Sequence, residues 1–379
     1  MEILDRYINQ LLEKSTPQAP IWNIEKIKEG KKSTWNYIDG CMIKAIIELY
    51  HITKDEHYLE FADSFIDYFV HDDGSIESYD PMEYNLDNVN AGKTLFDLYK
   101  LTGKEKYRKA IDTVYSQLKG QPRTSTGNFW HKKIYPNQIW LDGLYMAQPF
   151  YMQYEVTYND CRNCADSYKQ FLTVYEKMRD LRNGLYYHAY DDSRQMFWCD
   201  KVTGLSENFW LRALGWYAMA LIDTMEVMPA SMSEEKAKLN TIYKELIDAM
   251  LPYQDEATGM WYQVVNRGGI EPNYLEESGS AIFAYAIMKS VRMGYLDRSY
   301  FQYGEKAFNG ICSTYLSEEN GELQLDGICL VAGLGNKEMR EGTFDYYMRE
   351  PIVKNEAKGV APLILAYVEI LFRDLENKQ

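Results

Sequence analysis

Residues 37–70 read YIDGCMIKAIIELYHITKDEHYLEFADSFIDYFV. The first part, 37–50, is largely apolar and contains the small residues Gly40 and Ala45. The second, 57–70, spaces its apolar residues three and four apart and fills the gaps with acids and Ser64. The turn ITKDE lies between them. A helix that is apolar all round must be buried, whereas one with a single apolar stripe lies on the surface of a core. The stretch therefore predicts an inner helix, a turn and an outer helix.

The same unit recurs along the chain. VNAGKTLFDLYKL (89–101) precedes KYRKAIDTVYSQLKG (106–120), and WLDGLYMAQPFYMQYEVT (140–157) precedes a helix over about 161–179. NFWLRALGWYAMALIDTME (208–226) precedes SEEKAKLNTIYKELIDAMLPYQ (233–254), and ESGSAIFAYAIMKSVRMG (277–294) precedes SYFQYGEKAFNGICSTYL (299–316). A sixth apolar helix, GVAPLILAYVEILFRDLE (359–376), finds its outer partner in the N-terminal helix over 2–14. Inner helices start near Ile38, Asn90, Asp142, Arg212, Ser278 and Lys358, in steps of about 50 to 80 residues. Each carries a glycine near its start (Gly40, Gly92, Gly143, Gly215, Gly279, Gly359), which lets helices approach closely around an axis. The expectation is an all-α fold, an (α/α)6 barrel of six inner and six outer helices, forming one domain over residues 1–379. The long loops precede the inner helices and so gather at one mouth, the default place for a site.

A net charge of −15 argues against nucleic acid as a partner. It leaves room for a small anionic ligand held by a few local cations. The 33 Tyr and 8 Trp suit a core of many helices, and they also suit a sugar cleft, where ring faces cover C–H surface. The segment MEILDRYINQLLEKS (1–15) has no secretory-signal pattern, and no apolar run reaches membrane-spanning length. Cysteines 41, 161, 164, 199, 312 and 329 form no disulfide-like framework, so a reduced cytoplasmic chain is expected, without a membrane partner. Cys161 and Cys164 make a lone CxxC, read as small helix residues because no second ligand pair completes a zinc set.

Three stretches carry candidate chemistry. DPMEYNLDNVNAGKTLF (80–96) brings Asp87, Asn88 and Asn90 to the second inner helix. FWHKKIYPNQIWLDGLYMAQPF (129–150) brings His131, Lys132 and Asp142. The third pairs GLYYHAYDDSRQMFWCD (184–200) with GLSENFWLRALGWYAMALID (204–223) and holds His188, Trp210, Arg212 and Trp216. Asp142 reads equally as a helix N-cap or as a working acid in a mouth, and Asp87 has the same two readings one repeat earlier. A loop histidine is more often a hydrogen-bonding or surface residue than a catalyst, but His131 and His188 both fall in candidate mouth loops. Trp210 and Arg212 can point into the mouth from a helix start, where Arg212 suits a carboxylate. Trp216 is also a candidate core residue.

The segments HKKIYPNQIWLDGLYM (131–146) and FWLRALGWYAMALID (209–223) resemble the unsaturated rhamnogalacturonyl hydrolases of glycoside hydrolase family 105, and the likeness runs from about Trp22 to the last helix. The resemblance implies an (α/α)6 barrel with no metal or cofactor. It implies removal of a 4,5-unsaturated galacturonyl unit from rhamnose in small pectin fragments. It makes Asp142 the general acid/base and Asp87 a second acid at the site. His188, Trp210, Arg212 and Trp216 match substrate-contacting positions, and His131 and Lys132 stand in the same motif. The related family 88 unsaturated glucuronyl hydrolases share the barrel and both acids, so the leaving group stays open. A two-carboxylate glycosidase on the same barrel and a non-catalytic carbohydrate-binding barrel are the other readings. The sequence does not set an oligomeric state.

Overall fold

The computed structural model describes residues 2–336 and 338–377. Among them, twelve helices have ten residues or more. They are α1 (Glu2–Glu13), α2 (Tyr37–Thr53), α3 (Glu56–Phe69), α4 (Lys93–Thr102), α5 (Glu105–Gly120), α6 (Leu141–Tyr158), α7 (Cys164–Met178), α8 (Leu211–Val227), α9 (Ser233–Met250), α10 (Glu277–Arg292), α11 (Phe301–Tyr315) and α12 (Ala357–Glu376). The even-numbered helices form a closed inner ring. Helix α2 packs on α4 and on the short helix Leu86–Asn90, that short helix packs on α6, and contacts continue through α8, α10 and α12 back to α2. Each of α3, α5, α7, α9 and α11 packs on the inner helix before it. Helix α1 closes the outer ring, and Tyr367 on α12 donates its hydroxyl to Asp5 Oδ1 at 2.9 Å. The architecture is the expected (α/α)6 barrel.

The burial patterns explain the two layers. Helix α8 is buried from Leu211 to Ile222 without a break. Helix α9 buries only Leu239, Ile242, Tyr243, Leu246, Ile247 and Met250, one stripe at helical spacing. Small residues set the inner spacing. A Cβ on Gly40 would stand 2.6 Å from Ala91 Cα, and one on Gly215 would stand 2.8 Å from the Ile282 side chain.

The second inner helix differs from the expected single run over 89–101. It is broken into Leu86–Asn90 and α4, with tight turns in which Gly92 N–H bonds Val89 C=O and Thr94 N–H bonds Ala91 C=O. The break falls where Gly40 meets Ala91, and it moves the helix start back from Asn90 to Leu86. Two further differences concern the connections. Short antiparallel pairs join β1 (Gln138–Trp140) to β2 (Ala189–Asp191), β3 (Leu316–Glu319) to β4 (Glu322–Leu325) and β5 (Ile328–Cys329) to β6 (Ile352–Val353). At two to four residues each, they are too short to leave an alternating pattern in the sequence. Cys161 and Cys164 form a disulfide, with Cys161 in a left-handed turn before α7 rather than on the helix.

One backbone contact recurs around the mouth. The first residue of an inner helix donates its N–H to a carbonyl in the loop of the next repeat: Leu86 to His131, Leu141 to His188, Leu211 to Gln263, Glu277 to Gly327 and Ala357 to Trp22, all at 3.0–3.1 Å. The residues one step further on are Asp87, Asp142, Arg212, Ser278 and Lys358. Among the described residues, no helix is long and apolar enough to cross a membrane.

Gly40→Ala should lower stability by roughly 1–3 kcal/mol, because the added methyl meets backbone that cannot swing aside. A drop in the thermal unfolding midpoint, read by calorimetry or circular dichroism, checks this. An unchanged midpoint would mean that α2 and the Leu86–Asn90 turn can separate freely.

Candidate active site

The mouth leads into a cavity of about 130 Å³. Its wall includes Asp87, His131, Lys132, Asp142, Trp210, Arg212 and Trp216, so seven of the eight residues that the family resemblance picks out meet there. The eighth, His188, stands behind the wall, fully buried, with Nε2 3.4 Å from Asp142 Oδ2.

Backbone pairing brings these groups together. Trp140 on β1 faces Ala189 on β2, and the following Leu141 N–H bonds His188 C=O, so Asp142 and His188 arrive side by side. Leu86 N–H bonds His131 C=O, and His131 N–H bonds Gln138 C=O, which places the His131–Lys132 loop over Asp87. Gly143 lets that loop close in, since a Cβ there would stand 2.9 Å from His131 Nδ1.

The two acids have different surroundings. Asp87 Oδ2 lies 2.5 Å from Lys132 Nζ, and Oδ1 lies 3.5 Å from His131 Nε2. Burial pushes the Asp87 carboxyl up, but Lys132 and His131 outweigh it and hold the group below its ordinary value. Asp87 is therefore an ionised carboxylate at neutral pH. Burial opposes the charge on Lys132, and Asp87 outweighs burial, so its proton is held more firmly than usual. Burial takes His131 down to about 4, so its ring is neutral. The ring stacks on Trp140 with centroids 4.7 Å apart, and Trp140 stacks in turn on Tyr135 at 5.0 Å.

Asp142 has no such clamp. Neither its Oδ2 nor His188 Nε2 has a hydrogen-bond partner among the described residues, although both atoms are buried. His188 Nδ1 is 2.8 Å from the Tyr347 hydroxyl, and burial keeps Tyr347 a phenol by raising it well above its ordinary value. With that phenol as the donor to Nδ1, the ring proton would stand on Nε2, on the side of Asp142. Trp210 packs against His188 with centroids 4.8 Å apart and donates Nε1–H to Gln263 Oε1 at 3.0 Å. Trp216 is core and wall at once, buried and stacked on Tyr145.

Arg212 is almost wholly buried. Its terminal nitrogens donate to Ser278 Oγ at 3.0 Å and to the carbonyls of Cys329 and Leu330, while Nε has no partner among the described residues. The arginine thus fixes the strand that enters the 331–340 segment and brings positive charge to the cavity.

The wall also holds residues the sequence reading missed, among them Glu25, Tyr37, Tyr135, Met146 and Arg340. Glu25 comes from the short helix Ile24–Glu29 and pairs with the buried Lys358, which also lies 3.2 Å from Glu356. Burial works against the Glu25 charge, but Lys358 outweighs it and lowers the carboxyl. Lys358 at an inner-helix start was the available signal for such a partner. Arg340 had none, because it lies outside the repeat.

The chain matches the family model described as Glycosyl Hydrolase Family 88 over residues 11–373. A solved glycoside hydrolase from family 105 of C. acetobutylicum is 41% identical, with a TM-score of 0.89, over 97% of this chain and 98% of that one. The chain belongs to the glycosyl hydrolase family 88/105 group. Among other family relatives, the unsaturated rhamnogalacturonyl hydrolase YesR of Bacillus subtilis is 26% identical over 296 residues, 76% of this chain and 78% of its own. The unsaturated glucuronyl hydrolase of Bacillus sp. GL1 has a TM-score of 0.63 at 16% identity, over 89% of this chain and 87% of that one, and shares the fold. Membership makes the barrel a glycosidase, and the cavity lined by Asp87 and Asp142 is its candidate active site.

Lys132→Met should reverse the electrostatics of Asp87. With the ammonium present, the lowered carboxyl stabilises the fold above the unfolded-state value, and that contribution fades as pH falls through the folded-state value. Without it, burial dominates and the charged form opposes folding. The variant should therefore be less stable by roughly 1–3 kcal/mol at neutral pH, and the gap should narrow as pH falls through the carboxylate range. Thermal midpoints measured across pH check this; a gap that stays constant would rule out the Asp87–Lys132 pair as its source.

Proposed function

We propose that this glycosidase removes a 4,5-unsaturated galacturonyl residue from the non-reducing end of rhamnogalacturonan-derived oligosaccharides. The observation that carries the proposal is the Asp142–His188 pair, whose facing atoms are buried and unspent on other partners, beside a carboxylate held ionised by Lys132. The size of the cavity supports it. About 130 Å³ is below the usual volume of a ligand pocket and suits one terminal sugar ring rather than the middle of a chain. The YesR likeness points to the galacturonyl-rhamnose linkage.

The substrate is a vinyl ether, with C4=C5 conjugated to the C6 carboxylate and C5 bonded to the ring oxygen. The Asp142 carboxyl gives its proton to C4, and positive charge develops on C5 and the ring oxygen. The resulting carboxylate takes a proton from a water molecule as that oxygen bonds to C5. The hemiketal so formed opens to a C5 ketone, leaving a hydroxyl on C1 beside the glycosidic oxygen. That C1 hemiacetal then breaks to an aldehyde and the free alcohol of the next sugar. One water is consumed, and Asp142 returns to its starting form. His188, held by Tyr347, directs its Nε2–H at Asp142 and steadies the carboxylate between the two steps. The fixed negative charge of Asp87 stabilises the cation that forms at C5. His131, Lys132, Trp210, Arg212 and Trp216 line the wall that holds the sugar, and Trp rings cover its C–H face.

The test uses the disaccharide of unsaturated galacturonic acid on rhamnose. Loss of the conjugated double bond, read by ultraviolet absorbance, should match release of rhamnose at every time point. Turnover only of the glucuronyl counterpart would reassign the leaving group and keep the mechanism, whereas cleavage of saturated oligosaccharides alone would overturn both. Asp142→Asn should keep the fold and lower kcat by roughly 10²- to 10⁴-fold, the usual worth of a positioned acid or base. Near-normal turnover by this variant would remove Asp142 from the mechanism.

A further inference from the structure

A uronate substrate brings its own negative charge into a chain whose net charge is −15, and a cation has to receive it. Among the described residues, the fully charged cations on the cavity wall are Lys132, Arg212 and Arg340. The first two are committed. Lys132 is clamped at 2.5 Å to Asp87, whose side chain is only 14% exposed. Both terminal nitrogens of Arg212 are spent on protein oxygens. Arg340 is held differently. Its Nη2 pairs at 2.6 Å with Glu338, whose side chain is 63% exposed, and its Nε lies 3.7 Å from Glu350. An exposed ion pair contributes little, so exchanging Glu338 for another carboxylate costs little.

Position supports the assignment. Arg340 and Gly335 exchange both backbone hydrogen bonds, at 2.8 and 2.9 Å, which fixes the base from which the side chain extends. At Gly333, a Cβ would stand 3.2 Å from Arg340 Nη1 and 3.5 Å from the Trp140 ring. The guanidinium and the indole that stacks on His131 therefore both close on Gly333, and that indole stands two residues before Asp142 in the chain. Tyr346 fixes Gly333 itself, donating its hydroxyl to the Gly333 carbonyl at 2.7 Å. In a cavity with room for one sugar ring, a cation on the wall faces that ring's own substituents.

We propose that Arg340 is the residue that selects for a uronate, releasing Glu338 to bind the C6 carboxylate of the unsaturated sugar through its planar fork of donors. The inference rests on the proposed function and names a specificity residue for it. It also separates two tasks: Arg212 fixes the strand at 329–330, and Arg340 reads the substrate's charge.

The experiment compares the unsaturated galacturonyl-rhamnose disaccharide with its C6 methyl ester, which keeps the vinyl ether and removes the charge. The unaltered enzyme should show a KM roughly ten- to a hundred-fold higher for the ester, the range expected when a hydrogen-bonded charge pair is lost. Arg340→Ala should raise KM for the acid by a similar factor, change kcat little and no longer distinguish acid from ester. Arg340→Lys should recover part of the discrimination. A merely structural role would raise KM for both substrates in parallel, and that result would overturn the assignment. Discrimination as strong in Arg340→Ala as in the unaltered enzyme would also overturn it and return the anchor to Arg212 or Lys132. Turnover of neither substrate by the unaltered enzyme would instead overturn the function on which the inference rests.

Discussion

The hydrogen bond from the first N–H of an inner helix to a carbonyl of the next repeat's loop is the contact on which the site depends. A helix start leaves its first N–H groups without partners inside the helix. Here one of them is spent on a neighbouring loop, five times around the barrel. At two of these places the bond joins a helix start to the segment that carries the partner of the acid that follows. Leu86 is tied to His131, so Asp87 meets the His131–Lys132 loop; Leu141 is tied to His188, so Asp142 meets that imidazole. The acids thus take their partners from backbone register, and the partners give the acids their different surroundings.

Charge around the cavity follows one pattern. Asp87 holds Lys132, Glu25 holds Lys358, and Arg212 is surrounded by carbonyls. Pairs of this kind cost desolvation and are poor sources of stability. They do fix charge at known places, which a mechanism with a developing cation requires. The Asp142–His188 pair departs from the pattern at 3.4 Å, with buried atoms left unspent. The far ends of the inner helices are closed by pairs with no part in the cavity wall, such as Lys289 with Asp223 and Arg292 with Glu369. Polarity at one end is used to seal the barrel and at the other to do chemistry.

The repeat was legible because its signal is periodic. Apolar and striped helices alternate, with a glycine near each inner start, and that was enough for the ring and for Asp142, Arg212, Ser278 and Lys358 as helix starts. The break at Ala91 and Gly92 was not legible, because two small residues read as well in a helix as in a turn; the contact with Gly40 that breaks the helix joins residues about fifty positions apart. Glu25, Arg340 and Tyr347 escaped for the same reason. They enter the site from segments near the two ends of the chain, and no spacing within either segment records the meeting. The Cys161–Cys164 disulfide was misread because a four-residue loop has no framework pattern around it.

The equivalence of Asp87, Asp142 and Arg212 explains how one architecture supports unlike roles. All three stand one residue after the tied N–H, on inner helices that lean on one another around an axis. Their side chains are therefore delivered to the same cavity by the same backbone geometry. What distinguishes them is the segment that each side chain meets. A lysine holds the first as a carboxylate, a phenol-held imidazole faces the second at 3.4 Å, and the carbonyls of a short strand absorb the donors of the third. The barrel supplies positions, and the loops that tie its helices together decide what each position does.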